Sequence, residues 1–197
     1  MYPVLFKIPQ PEATSRLLLF FRPFMMIPLA IFGAFYGMAA NVVLFLAWWA
    51  ILFTGKYPRS MWDFSTRYFR FNTQLNAYSL MLCDVYPPFN GGEDNGYPVR
   101  VLFEYPERMS RLHLIFRFLL LLPQFFFAIG YGFVSSFVMF ANWWAVLFLG
   151  RIPDGMFGWI SRYMVWSSRL NAYILLLVDE YPPFHGLQPL SAADAFD

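Results

Sequence analysis

The stretch Ala47-Trp48-Trp49-Ala50-Ile51-Leu52-Phe53-Thr54-Gly55-Lys56-Tyr57-Pro58 returns 95 positions later as Asn142-Trp143-Trp144-Ala145-Val146-Leu147-Phe148-Leu149-Gly150-Arg151-Ile152-Pro153. The same shift aligns most of the chain without a gap. Ser15-Arg16-Leu17 falls on Ser110-Arg111-Leu112, and Arg22 and Pro28 fall on Arg117 and Pro123. Leu75-Asn76-Ala77-Tyr78 falls on Leu170-Asn171-Ala172-Tyr173, and Asp84 with Tyr86-Pro87-Pro88-Phe89 falls on Asp179 with Tyr181-Pro182-Pro183-Phe184. Self-similarity at a fixed offset means one structural unit written twice. The expected organisation is a first repeat over 1–89, a flexible linker over 90–96, a second repeat over 97–186 and a small, acidic, disordered tail over 187–197.

Hydrophobic residues make up 59% of the 197 residues and charged residues 13%, where a soluble domain carries about a quarter charged. The chain lacks the charge to cover a soluble surface, so membrane residence is the first expectation. A net charge of +2 is too small to suggest a nucleic-acid partner. The single cysteine, Cys83, excludes an internal disulfide framework and a multi-cysteine metal site. The first fifteen residues hold Pro3, Pro9 and Pro11 and lack the apolar core of a signal peptide.

Between Arg22 and Lys56, and again between Arg117 and Arg151, lie 33 residues without a charge. One straight crossing needs about 20. Each block also carries turn chemistry near its middle: Gly33, Gly37 and Asn41 in the first, Gly130, Gly132, Ser135 and Ser136 in the second. The pattern predicts a transmembrane helical hairpin over 15–54 and another over 110–149, either fully spanning or re-entrant. The charges gather at the open ends, which the positive-inside rule puts in the cytoplasm together with both termini, so the two copies are expected in parallel orientation. Trp48, Trp49, Trp143 and Trp144 fall near the depth of an interfacial aromatic belt.

A third helix follows in each copy, predicted over 60–83 and 155–178. Asp63, Arg67, Arg70 and Gln74 form one polar stripe among aromatic residues; Arg162 and Arg169 hold the stripe in the second copy, where Val165 interrupts it. Mid-helix arginines favour an amphipathic helix in the interface over a further crossing. Pro-Pro then ends each unit. Ahead of each apolar block, Val99-Arg100-Val101-Leu102-Phe103-Glu104-Tyr105 alternates as a half-buried strand, and Val4-Leu5-Phe6-Lys7-Ile8 does so more weakly; these form either a strand pair or extended arms. The fold class is thus an all-α membrane protein of two tandem parallel repeats, with a short surface strand before each hairpin.

Leu52-Phe53-Thr54-Gly55-x-x-Pro58, followed by a helix with an Arg, Asn-Ala-Tyr and then Asp84-x-Tyr86-Pro87-Pro88-Phe89, resembles a family of small bacterial integral-membrane proteins classed as a domain of unknown function. The resemblance covers both copies. It implies a bacterial inner-membrane, multi-pass protein and supplies no activity, ligand or catalytic residue. Leu149 in place of Thr54 and Asp154 in place of Arg59 depart from the pattern.

Among the polar residues, Asp84 and Asp179 sit at helix ends against the negative pole of the dipole and need a partner, for which Arg16 and Arg111 are the candidates. Arg22 and Arg117 either snorkel to headgroups or, with Arg67, Arg70, Arg162 and Arg169, form a lipid-phosphate or anion site. His113 and His185 lack the partner spacing of a metal or haem site, and no catalytic motif appears. No cofactor and no metal is expected. The function read from these features is a non-catalytic scaffold or accessory subunit that binds lipid headgroups, a membrane protein partner or another copy of itself. A small transporter or channel subunit is the alternative, and a lipid-modifying enzyme built on Asp84 or Asp179 is the third class.

Overall fold

A computed structural model describes residues 2–92 and 96–187. The linker's residues 93–95 and the tail from 188 onward lie outside the described residues. The order is β1 (Val4–Lys7), α1 (Arg16–Thr54), α2 (Arg59–Ser79), β2 (Arg100–Phe103), α3 (Arg111–Leu149) and α4 (Asp154–Ile174). The strands do pair: β1 and β2 are antiparallel, with Val4 opposite Phe103 and Lys7 opposite Arg100. Val4, Phe6, Val99 and Val101 are buried, as the alternation predicts.

The hairpins within 15–54 and 110–149 are corrected. Each block is one helix of 39 residues, roughly 58 Å long at 1.5 Å per residue. The residues read as a turn have other employment. Gly33 and Gly37 lie against Phe71 and Tyr68 of α2, where an added Cβ would come within 3.4 Å of the Phe71 ring and 3.2 Å of the Tyr68 hydroxyl. Asn41 returns its amide to the Gly37 carbonyl at 2.8 Å and Ser136 its hydroxyl to that of Phe133 at 2.6 Å, so both satisfy themselves within the helix. Isolated glycines cost a helix only about 1 kcal/mol each, too little to reverse 39 apolar residues. What does reverse the chain is Gly55 and Gly150, at φ 72° and 70°, closing the last turn with an N–H donated to Ile51 and Val146. This left-handed position is the one that favours glycine at a helix end.

α2 and α4 return along α1 and α3 and stop earlier than the expected 83 and 178. Their ends are paired: Met81 N–H donates to Tyr78 and Leu82 N–H to Ala77, repeated by Leu176 to Tyr173 and Leu177 to Ala172. This is a Schellman closure carried by Met81 and Leu176 at φ 63° and 60°, without glycine. No sequence signal marks it.

α1 packs on α2, α3 on α4, α1 on α3 and α2 on α4, and β2 rests on α2. The long helices thus form one layer and the short ones a second. The start of α1 lies beside the end of α3, and the end of α1 beside the start of α3: Thr14 N–H donates to Gly150 at 2.9 Å and Met109 N–H to Gly55 at 3.0 Å. The end-to-end directions of α1 and α3 are therefore opposed, and the repeats are related by a pseudo-twofold that also passes through the strand pair. The exposed large residues of the long helices are mostly apolar, from Leu17 through Phe35 to Phe53 on α1 and from Leu112 through Phe126 to Leu149 on α3, with Arg16, Asn41, Arg111 and His113 as exposed polar exceptions. The exposed positions of α2 are Arg59, Ser60, Asp63, Arg67, Asn76 and Ser79. Two helices are thus long and apolar enough to cross a membrane.

Candidate functional site

The repeated polar residues come together as two clasps, one per copy. Ser15 caps α1, its hydroxyl accepting from Leu18 N–H at 3.3 Å, while Ser15 N–H donates to Asp84 at 2.8 Å. The other Asp84 oxygen receives Arg22 at 2.5 Å. Arg22 also donates to the Tyr78 carbonyl and lies 4.6 Å from the Tyr78 ring centre. The second copy repeats this: Ser110 N–H to Asp179 at 2.6 Å, Arg117 to Asp179 at 2.9 Å and to Tyr173 at 2.6 Å. Each clasp ties the first turns of a long helix to the end of its short partner. The partner of Asp84 is thus Arg22 and not Arg16, and that of Asp179 is Arg117 and not Arg111. Residues one turn apart share a face, but Arg16 lies six residues before Arg22, about 1.7 turns at 3.6 residues per turn, so Arg22 reaches inward from a continuous helix while Arg16 points elsewhere.

Arg16 and Arg111 instead reach across to the other copy. Arg16 donates to the Phe148 carbonyl at 2.9 Å and Arg111 to that of Phe53 at 3.0 Å, satisfying carbonyls that a helix end leaves open. At Gly150 an added Cβ would meet the Arg16 guanidinium at 3.4 Å. The Leu-Phe-x-Gly motif is thereby explained: glycine turns the helix and leaves room for the arginine of the other repeat.

The Tyr-Pro-Pro-Phe segments strap this assembly. Tyr86 and Tyr181 meet Tyr78 and Tyr173 edge-on, with ring centres 5.9 and 6.0 Å apart. Phe89 and Phe184 meet Phe32 and Phe127 at 5.1 and 5.3 Å. Arg169 is also internal: it donates to the Leu187 carbonyl at 3.0 Å and lies 5.2 Å from the Tyr2 ring centre. Burial lowers its affinity for a proton, and burial pushes the Tyr2 phenol well above its usual range. Of the six arginines considered for an anion site, Arg22, Arg117 and Arg169 are thus held inside the fold, and Arg67 and Arg162 are exposed. Trp49 and Trp144 are exposed beside Phe53 and Phe148, and Trp48 and Trp143 turn partly inward. Because α1 and α3 run oppositely, the two tryptophan pairs sit at opposite ends of the molecule.

An open feature lies on the polar side, between α2 and β2. It is a cleft of about 730 Å³ lined by Arg59, Asp63, Arg67, Arg70, Trp62 and Tyr105 among others. Arg59, which was not among the arginines the sequence offered for an anion site, stacks on Tyr105 with its guanidinium carbon 4.2 Å from the ring centre. Arg70 lies 3.5 Å from the Val101 carbonyl and faces Phe103. The one signal that could have found Arg59 is its spacing, one and two turns ahead of Asp63 and Arg67 on the same face.

With this geometry in place, the comparison with known families is informative about motif and silent about activity. The model of a domain of unknown function (DUF4389) matches residues 16–90 and 111–185, and the chain belongs to that family. Each match opens at the arginine that bridges to the other copy and closes just past the Tyr-Pro-Pro-Phe strap. No curated protein and no solved structure matches the chain.

Proposed function

We propose that this tandem member of the DUF4389 family is a non-enzymatic membrane scaffold, seated in one leaflet by the outward faces of α1 and α3. The ribbon and the polar sides of α2 and α4 then face water and receive a partner. The observation that carries this reading is the one-sided apolar surface, without an exposed Lys, Arg, Asp or Glu, that runs along both long helices beyond their first residues, Arg16 and Arg111.

Length argues against a simple crossing. A helix of roughly 58 Å would have to tilt by about 60° to fit a hydrocarbon core of about 30 Å, well beyond the usual range of 0–40°. Standing the bundle upright would also carry Asp63, Arg67 and Arg162, all exposed along the shafts of the short helices, into hydrocarbon at about 2.5–3.5 kcal/mol per charge. Lying flat removes both costs, as for an amphipathic helix in the interface. It also reconciles opposed helices with one-sided charge: a pseudo-twofold along the membrane normal keeps both copies on the same side, the cytoplasmic side of a bacterial inner membrane by the positive-inside bias. The scaffold reading is supported by what the motif residues do, since the paired arginines and aspartates are spent on internal contacts.

Membrane fractionation tests this. The chain should stay with the bilayer through alkaline carbonate and should float with liposomes. Phe35→Glu and Phe126→Glu, at positions 69% and 70% exposed, should each release it in part. A chain that stays in solution without detergent would contradict the proposal.

A further inference from the structure

The cleft between α2 and β2 is lined by a buried indole without an acceptor. Trp62 is 8% exposed, lines the cleft, and its buried indole N–H has no hydrogen-bond partner. The second copy shows how two other indoles, Trp166 buried and Trp159 half-buried, find acceptors. Where Phe71 becomes Trp166, Leu29 becomes Gln124, and the indole donates to that amide at 3.2 Å. Where Phe64 becomes Trp159, Ala40 becomes Ser135, and the indole donates to that hydroxyl at 3.1 Å. Trp62, whose counterpart is Phe157, was given no such acceptor. Around it stand Arg59 and Arg67, neither within ion-pair distance of a carboxylate among the described residues. The counterparts of Arg59 and Arg70 are Asp154 and Val165, so the second copy lacks this arrangement.

We infer that the cleft of the first repeat binds a phosphate group, with the Arg59 and Arg67 guanidinium groups neutralising it and the Trp62 indole donating to one of its oxygens. Guanidinium forks match the geometry of phosphate oxygens. A buried N–H without an acceptor is costly, and a bound phosphate oxygen would supply one. Stacking on Tyr105 holds Arg59 in place before the ligand arrives, so less side-chain freedom is lost on binding. The space of about 730 Å³ is within the range of small-molecule sites, about 300–1,000 Å³. The phosphate comes either from a phospholipid headgroup at the membrane surface or from a water-borne phosphate ester. The inference stands on the cleft alone and holds whether α1 and α3 lie in the bilayer or cross it.

The test is indole ¹⁵N–¹H NMR on the full chain in phosphatidylcholine nanodiscs, with the Trp62 resonance assigned by Trp62→Phe. One arm titrates sn-glycerol 3-phosphate; the other replaces part of the phosphatidylcholine by phosphatidylglycerol. The Trp62 resonance should move in at least one arm, and which arm it is identifies the source. The Arg59→Gln/Arg67→Gln double variant should weaken the response by about tenfold or more, with the other indole resonances in place as the check on folding. Asp63→Asn, which removes the Asp63 carboxylate from the cleft lining, should strengthen it, and Arg162→Gln in the second copy should leave it unchanged. A Trp62 resonance indifferent to both probes, or one weakened equally by Arg162→Gln, would overturn the inference.

Discussion

In the first repeat, Leu29 and Phe71 belong to one apolar cluster with Tyr78. In the second, the same two positions hold Gln124 and Trp166, and the amide that accepts the indole N–H also donates to the Pro182 carbonyl at 2.6 Å. An oily contact has become a satisfied polar one at the same place in the same fold. The clasp and the bridging arginines did not diverge: Ser15, Arg16, Arg22, Gly55, Asp84 and Gly91 are Ser110, Arg111, Arg117, Gly150, Asp179 and Gly186. Positions that carry backbone caps and inter-repeat bonds have no alternative chemistry at hand, whereas packing positions can change in pairs. Trp62 and Asn142 are buried changes not made in such pairs. Trp62 lines the cleft. Asn142 is fully buried where the first copy has Ala47, with neither side-chain atom partnered.

The comparison can be broken most forcefully at the clasps. Asp84→Ala and Asp179→Ala each leave a buried arginine, with side chains 6% exposed, lacking its counter-charge. Each should cost about 3–5 kcal/mol, and thermal unfolding in detergent should find the two losses similar. A large loss in one copy and none in the other would mean that the clasps are not equivalent.

Gly91 and Gly186 come next. A Cβ at either position would overlap the backbone carbonyl of Arg67 or Arg162. Alanine at each should therefore cost about 1–3 kcal/mol by overpacking. Gly91→Ala should cost about 1 kcal/mol more, because only Gly91 has a positive φ, 56°. Hydrogen exchange of residues 86–92 against 181–187 would resolve the difference.

Asn142→Ala should work in the opposite direction. It gives the second copy the residue of the first and should stabilise by about 1–2 kcal/mol, the cost of a buried unsatisfied amide. A destabilised Asn142→Ala chain would show that Asn142 is not merely an unmatched change. The smallest effects are expected at the caps: Ser15→Ala and Ser110→Ala, each about 1 kcal/mol and each local to the first turn of its long helix.

How much of this could be read in advance depended on the range of the interaction. The alternation of Val99, Val101 and Phe103 is local, and it placed β2, whereas the pairing of β2 with β1 was one of two readings the sequence left open. Proline at 58 and 153 is local too, and α2 and α4 begin directly after it. The interior of the long helices was misread because Gly33 and Gly37 look the same in a turn as under a ring, and only the position of α2 distinguishes the two. The ends of α2 and α4 were overshot because a methionine and a leucine occupy the left-handed position. The duplication was plain, but its hand was not. Arg16 and Arg111 carry no mark that their carbonyl partners lie 132 and 58 residues away, and those bonds set the long helices in opposition. At the site, aspartate's need for a cation was legible, whereas the choice of Arg22 over Arg16 required knowing that the helix does not break.

Opposed long helices give the membrane reading a direct test. Ser60 and Gly155 are equivalent, exposed positions just after the starts of α2 and α4, at opposite ends of the molecule. The one native cysteine, Cys83, is buried, so single Ser60→Cys and Gly155→Cys variants can be probed with a membrane-impermeant maleimide in sealed vesicles of known orientation. Seating in one leaflet predicts that both are labelled from the same side. Labelling of the two from opposite sides would mean that the long helices cross the bilayer as an inverted pair.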